Sequence, residues 1–200
     1  MAGSLPMIDE FAKAYLHDEL RWVREAMIWK LDDLSEYDVR RPLTPTGTNF
    51  LGLIKHLAYS GARYFGEVFD RPFPDTVPRW NDEAAWTNEH WAAEHETRES
   101  IIGLYWRVWE HADATIVDLP IDAPGHVPWW PRPDVKLFNV MVHMLNETGR
   151  HAGHADILRE QLDGRTGMDA EFDSPIDVAA REARYAKIER AAKAAAHIQD

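Results

Sequence analysis

The segment spanning residues 139–162 constrains this chain most, because it places three imidazoles and a carboxylate on one stripe of a predicted helix. Positions three or four apart share a helix face. The four residues of the stripe are His143, Glu147, His151 and His154. Apolar residues flank them, which indicates that the stripe faces the protein interior. Burying ionisable groups without partners is costly, and a divalent cation removes that cost because His and Glu are good ligands for it.

Helix geometry limits which of these residues can share one ion. Glu147 and His151 lie about 6 Å apart along the axis at ~1.5 Å per residue, so their side chains can converge. His151 and His154 are similarly placed, whereas Glu147 and His154 are roughly 10 Å apart. We therefore expect two ligands from this helix and at least one from elsewhere. The pattern alone also allows these histidines to make ordinary hydrogen bonds.

Composition excludes several functional classes. The chain has no cysteine, which rules out disulfides, thiolate metal sites and a cysteine nucleophile. Its net charge of −12 opposes binding to nucleic acids and anionic lipids. No apolar run approaches the ~18 residues that cross a bilayer, and the first residues lack the features of a secretion signal. We expect a cytoplasmic protein of one domain that acts on small molecules.

Apolar residues at helical spacing predict four long helices and a further helix in the Ala-, Arg- and Lys-rich tail. The predicted ranges are about 8–34, 50–69, 82–117 (or 97–117), 135–162 and, for the tail, from 175. Thr48 or Asn49 can cap the second helix, and Asp163-Gly164 is typical of a helix end. No strand alternation of useful length is present.

These elements predict an all-α fold: an antiparallel four-helix bundle with an additional C-terminal helix. The bundle is expected over residues 1–167 and the helical extension over residues 168–200. Helical bundles build metal sites from side chains on facing helices. The remaining ligand is therefore expected from another part of the bundle.

Two segments resemble a known family, Leu53-Ile-Lys-His56-Leu57 and Asn146-Glu147-x-x-x-His151-x-Gly153-His154. They are similar to the DinB-like metalloprotein superfamily, closest to its mycothiol transferase branch, which is related to mycothiol-dependent maleylpyruvate isomerase and bacillithiol transferase. The likeness covers roughly residues 8–167. It implies a four-helix bundle whose metal is held by one His of the second helix and two ligands four apart on the last core helix.

Carried onto this chain, the resemblance implies that His56, Glu147 and His151 are the metal ligands. Many relatives have His where Glu147 stands, although a carboxylate there is similar to the maleylpyruvate isomerases. His154 stands where the common pattern has Gln, so it is interpreted as a ligand, a group supporting a ligand, or a substrate contact. His143 is interpreted as a supporting or structural residue. The rival ligand set is His56, His151 and His154.

The resemblance implies a metal-dependent thiol transferase, with zinc as the expected ion and a low-molecular-weight thiol such as mycothiol as cosubstrate. Because the chain lacks cysteine, the thiol must be diffusible, and it would be conjugated to an electrophile. One alternative is thiol-dependent isomerisation of an unsaturated diacid, with Arg132, Arg150 or Arg63 binding carboxylates. Another is a non-catalytic metal-binding stress-response protein. A homodimer is also implied.

The loop of residues 125–133 precedes the helix that carries the histidine stripe. Its tryptophans offer flat apolar walls, and Arg132 offers a charge for an acidic substrate. Trp130, Arg132 and Arg150 are therefore the expected substrate contacts. The other interpretation of the loop is a packed surface segment stiffened by proline.

Overall fold

The computed structural model describes residues 8–82, 88–169 and 177–196. The helices in these ranges are α1 (Ile8–Trp29), α2 (Glu36–Arg40), α3 (Phe50–Phe65), α4 (Arg98–Asp118), α5 (Leu137–Asp163) and α6 (Val178–Ala195). A 3-10 turn, Glu67–Phe69, follows α3, and β1 (Pro124–His126) pairs with β2 (Asp134–Lys136) in an antiparallel hairpin. The all-α prediction is confirmed.

Helices α1, α3, α4 and α5 form the bundle. The amine of Lys13, near the start of α1, donates to the carbonyl of Leu119 just beyond α4 (2.7 Å), so these two helices run in opposite directions. The guanidinium of Arg159, near the end of α5, donates to the carbonyl of Lys30 just beyond α1 (2.7 Å), so those two run in the same direction. Helices α1 and α5 are therefore parallel to each other and antiparallel to α4.

Helix α3 lies between α4 and α5 and runs with α4. Lys55 near its start pairs with Glu96 just before α4 (2.8 Å), and Arg71 beyond its end pairs with Asp118 at the end of α4 (2.6 Å). Nearly all of α3 is buried, because apolar residues occupy most of its faces. A side chain on α3 that faces α5 therefore lies inside the protein.

The ends of the helices follow local signals. Asn49 caps α3 by accepting a hydrogen bond from the backbone N–H of Gly52 (2.8 Å), and Thr97 caps α4 by accepting from Ser100 (3.0 Å). The later of the two predicted starts for the third helix is thus correct; residues 83–87 lie outside the described ranges. Helix α5 ends at Gly164, whose φ of 79° is readily adopted by glycine.

Two predicted helices end earlier than expected. Helix α1 stops at Trp29 rather than near residue 34, and the turns that follow include Asp33 at a φ of 62°. Helix α3 stops at Phe65, and the 3-10 turn carries the chain on to Phe69. Apolar periodicity continues through both segments, which is why it overestimated the helix lengths.

The predicted tail helix is present as α6, and it has no buried residue. It adds nothing to the core formed by the other helices. The division into a bundle ending at residue 167 and a separate extension remains a prediction, since residues 170–176 lie outside the described ranges. None of the described helices has the apolar length that a bilayer crossing requires.

A cluster of three polar side chains joins α1 to α4. Asp113 accepts hydrogen bonds from His17 and from the buried Arg24, each at 2.8 Å. Burial alone would raise the pKa of Asp113, but its hydrogen bond with His17 and the charge of Arg24 outweigh burial and lower it. The ionised carboxylate therefore stabilises the folded protein.

Asp113→Asn is expected to lower the free energy of unfolding at pH 7 by about 1–3 kcal/mol, because Arg24 loses its charged partner. A lowered pKa means that this stabilisation is complete above the unfolded value of about 3.9 and is lost as the pH falls through the folded value. Urea unfolding at pH 7, 4 and 3 with a chelator present should show the difference between wild type and variant shrinking with acid. A difference independent of pH would contradict the assignment.

Candidate metal centre

Three side chains from two facing helices converge at the middle of the bundle. The Nε2 atom of His56 on α3 lies 3.3 Å from Oε1 of Glu147 on α5, and Nε2 of His151, one turn further along α5, lies 3.0 Å from the same oxygen. One ligand atom from each residue lies within 4.8 Å of the others. The structure thus brings the three expected ligands together, and their binding of a metal remains a prediction.

A fourth side chain, Glu89, fixes the orientation of the His56 ring. Its Oε1 lies 2.7 Å from Nδ1 of His56, and its Oε2 accepts a hydrogen bond from Nη2 of Arg63 (2.8 Å). Glu89 is 0% exposed. Because an ionised carboxylate only accepts hydrogen bonds, Nδ1 of His56 must carry a proton. Its Nε2 then either holds a second proton or offers a lone pair to a cation.

The charges around His56 favour a cation. Burial would lower the pKa of His56, but hydrogen bonds with Glu147 and Glu89 outweigh burial and raise it. Hydrogen bonds from His151 and then His56 hold the pKa of Glu147 well below its usual range, although burial opposes them. Burial would raise the pKa of Glu89, but its bonds with His56 and Arg63 lower it. Both carboxylates are therefore ionised at neutral pH.

The donor set fits a divalent ion. Two imidazoles and one carboxylate are the protein ligands of several catalytic zinc sites. The ligating histidines in such sites usually donate their other ring N–H to a carboxylate or carbonyl, as His56 does to Glu89. Nδ1 of His151 is buried without a partner in the described part of the chain. Of the two imidazoles, His56 therefore has such a partner, and His151 has none among the described residues.

A second group of potential ligands shares His56. It consists of His56, Glu89 and His90, whose ligand atoms also lie within 4.8 Å of one another. The ring of His90 is exposed and stacks on the ring of His56, with centroids 4.6 Å apart and planes 22° apart. Since both oxygens of Glu89 are already engaged, by His56 and Arg63, the first group is better suited to hold an ion.

The two remaining histidines of the stripe lie on opposite sides of the cluster. The ring of His143 packs against Tyr64 (centroids 4.7 Å apart) and Trp130 (4.8 Å), and burial lowers the pKa of His143. His154 is exposed, with its ring centroid 5.4 Å from that of His151. His143 is therefore packed among aromatic rings, whereas His154 faces outward.

The expected substrate contacts are dispersed. Trp130 donates a hydrogen bond through Nε1 to the hydroxyl of Tyr64 (3.1 Å), which places it beside the cluster's aromatic side. Arg150 is exposed, with Nη1 3.9 Å from Oε2 of Glu147. Arg132 is exposed in the loop and makes no contact with the cluster within the described ranges. Of the three, Trp130 lies closest to the interior of the site.

Two cavities adjoin the cluster. The aromatic cavity, about 240 Å³, is lined by His56 and Glu147 together with Tyr64, Trp129 and His143. The polar cavity, about 420 Å³, reaches the cluster through His151. Its lining also includes Thr48, Asn49, His90 and His154. The cluster thus lies between two spaces, one walled by rings and one by hydrogen-bonding groups.

The loop that carries Glu89 is held tightly against α3. The amine of Lys55 donates to the carbonyls of Asn88 and Trp91, each at 3.1 Å, and Nδ2 of Asn49 donates to the carbonyl of His90 (3.1 Å). A Cβ atom at Gly52 would collide with that same carbonyl. The close approach therefore depends on glycine, one turn before His56.

Helical periodicity could not identify Glu89 as a site residue, because Glu89 lies outside the long helices. The signal that could have found it is chemical: a buried ligating histidine needs a carboxylate or carbonyl for its second nitrogen. Tyr64 belonged to the apolar stripe of the second predicted helix, and its hydroxyl gave no sign of a role. The roles of both residues depend on contacts among α3, the loop of residues 88–91 and α5, which the sequence alone does not give.

The helical bundle and its cluster of two imidazoles and a carboxylate on facing helices define a protein of the DinB-like class. The model of the Mycothiol-S-transferase family matches residues 15–164. The chain therefore belongs to the mycothiol-S-transferase family, which confirms the resemblance identified in the sequence. No curated protein matches it.

Glu89→Gln is expected to weaken metal binding about 10–100-fold, because the charge that orients His56 and raises its basicity is lost. Asp113→Asn is the matched control, since Asp113 also joins a histidine to an arginine but lies between α1 and α4. Competition with a chromogenic chelator measures both affinities. Equal affinities for wild type and the Glu89 variant would contradict a supporting role.

Gly52→Ala is expected to push the loop of residues 88–91 away from α3, lowering stability by about 1–3 kcal/mol and weakening metal binding with it. Gly103→Ala on α4 is the control, because a Cβ there meets only the end of the Arg107 side chain at 3.4 Å. That variant should gain up to about 1 kcal/mol from helix propensity. Thermal unfolding and zinc titration distinguish the two, and identical behaviour would count against the close approach.

Proposed function

We propose that this protein is a metal-dependent thiol S-transferase in which His56, Glu147 and His151 hold a divalent ion, with zinc the best match to the donor set. The observation that carries the proposal is the convergence of two imidazole Nε2 atoms on one oxygen of Glu147, at 3.3 and 3.0 Å. Membership of the mycothiol-S-transferase family supports the reaction type.

A zinc-like ion with three protein ligands keeps an open position, where a thiol loses its proton near neutral pH. The protein's own residues orient the proposed ligands and line the space beside them. Glu89 holds the His56 ring with Nε2 directed at the cluster, and the aromatic cavity offers space for a substrate beside it. Because the chain contains no cysteine, the thiol is a diffusible cosubstrate. The family name favours mycothiol, and bacillithiol or glutathione would react in the same way.

Glu147 is proposed as the third ligand in preference to His154. Its carboxylate lies within hydrogen-bonding distance of both imidazoles, whereas the exposed ring of His154 faces the polar cavity. An anionic ligand also suits an ion better here than a third neutral imidazole. His154 is better placed to contact a bound thiol than to hold the ion.

The diacid isomerase receives less support from the arginines. Arg63 already bonds to Glu89 and, through Nε, to the carbonyl of Pro78 (3.2 Å). Arg132 and Arg150 are both exposed. The expectation of a homodimer rests on the family resemblance alone and stays a prediction.

Glu147→Ala is expected to remove most of the bound metal and abolish thiol consumption, while His154→Ala retains the metal. Elemental analysis of each purified protein gives the metal content, and loss of mycothiol in the presence of a chlorinated arene gives the activity. Glutathione in place of mycothiol tests the choice of thiol.

Two outcomes would contradict the proposal. If His154→Ala lost the metal and Glu147→Ala kept it, the ion would be held by the three-histidine set. If the metal-loaded wild type consumed no low-molecular-weight thiol with any electrophile, the protein would be a metal-binding protein without transferase activity.

A further inference from the structure

The hydroxyl of Tyr64 accepts hydrogen bonds from two neighbouring indoles. Its oxygen accepts hydrogen bonds from Nε1 of Trp129 (3.2 Å) and Nε1 of Trp130 (3.1 Å). An indole N–H only donates, so the two bonds occupy both acceptor positions of the phenolic oxygen. The one hydrogen-bonding element that remains is the O–H proton, and it meets no acceptor within the described ranges. Tyr64 therefore presents a donor that has no partner among the described residues.

That donor lies in the same cavity as the metal cluster. Tyr64 is 8% exposed, and its side chain lines the aromatic cavity with His56 and Glu147. Burial raises the pKa of Tyr64, although the two indole N–H groups oppose it, so the hydroxyl keeps its proton at neutral pH. A buried donor is costly to leave unpaired, so a ligand in the cavity that accepts its hydrogen bond is favoured.

The size of the cavity limits what can occupy it. An apolar cavity of roughly 150 Å³ admits benzene, so about 240 Å³ admits one ring with a short substituent. The rings of Tyr64, Trp129 and His143 in its lining suit a flat occupant.

We propose that Tyr64 binds the electrophilic substrate by donating a hydrogen bond to an oxygen conjugated with its reactive carbon, and that this substrate is flat and about one ring in size. Unsaturated ketones and halogenated nitroarenes have this chemistry. The proposal rests on the proposed transferase function, and it adds the class of electrophile and a residue that contacts it.

The role of the hydrogen bond follows from where charge develops. When a thiolate sulfur bonds to the alkene carbon of an unsaturated ketone, the alkene electron pair moves toward the carbonyl oxygen. The proton that the thiol lost then bonds to the neighbouring carbon and the carbonyl is restored, so that sulfur and hydrogen add across the double bond. Tyr64 O–H stabilises the oxygen while it carries negative charge. Removing one such donor typically costs 10²–10³ in rate.

Binding without turnover tests the contact directly. Acetophenone and ethylbenzene share one ring and differ in the carbonyl group, and ligand-observed NMR measures their affinity for the metal-loaded protein without thiol. Tyr64→Phe should weaken acetophenone about 5–10-fold and change ethylbenzene less than twofold. Unchanged acetophenone affinity in the variant would overturn the proposal.

Tyr59→Phe is the matched control, because Tyr59 lies on the same helix outside the aromatic cavity, and it should leave both affinities unchanged. If Tyr64→Phe fails to fold, intermolecular Overhauser contacts between the acetophenone methyl group and the Tyr64 ring in wild type carry the test. Their presence supports the proposal, and acetophenone bound without them refutes it.

Turnover tests the catalytic part separately. With mycothiol as the thiol, Tyr64→Phe should lower kcat/KM for benzylideneacetone 10–100-fold and for benzyl chloride, which has no conjugated oxygen, less than threefold. Equal losses for both electrophiles would refute a role for the O–H group in charge stabilisation. If wild type turns over neither electrophile, the catalytic part of this proposal fails, while the binding experiment still decides the contact made by Tyr64.

Discussion

The position of His56 between two carboxylates is the constraint on which the rest of the site depends. Glu89 is completely buried and fixes the proton of His56 on Nδ1, so that Nε2 faces Glu147 and His151. In that arrangement the ring is either doubly protonated or bound to a cation at Nε2. The structure thereby orients an ordinary histidine on a buried helix for the ligand role proposed for it.

Several features of the fold serve this arrangement. Helix α3 is buried on nearly all sides, so the space for Glu89 exists only because Gly52 lets the loop of residues 88–91 approach the helix backbone. Lys55 and Asn49 then hold the loop through its carbonyls. The side of the site that faces His56 is formed by Glu147 and His151, which lie one turn apart on α5. A site assembled from two rigid helices and one pinned loop needs little reorganisation when an ion binds.

The sequence was most informative where periodicity and spacing determine the structure. It predicted the bundle, a cap at Thr48 or Asn49, residue 97 as one of two starts for the third helix, and a shared face for Glu147 and His151. The position of His56 opposite them came from family resemblance, because a single histidine on an amphipathic helix carries no distinguishing pattern. Glu89 and the hydroxyl of Tyr64 were not predicted, since their roles arise from contacts between segments distant in the chain. Helix ends after Trp29 and Phe65 were missed because apolar spacing continues into the turns.

Anomalous diffraction from zinc-loaded crystals tests the central claim most directly, because it locates the ion without reference to activity. The account predicts one strong peak at the zinc edge, about 2.0–2.2 Å from Nε2 of His56, Nε2 of His151 and a carboxylate oxygen of Glu147, with Nδ1 of His56 still bonded to Glu89. A peak bound instead by Glu89 and His90, or by His151 and His154 without Glu147, would contradict it.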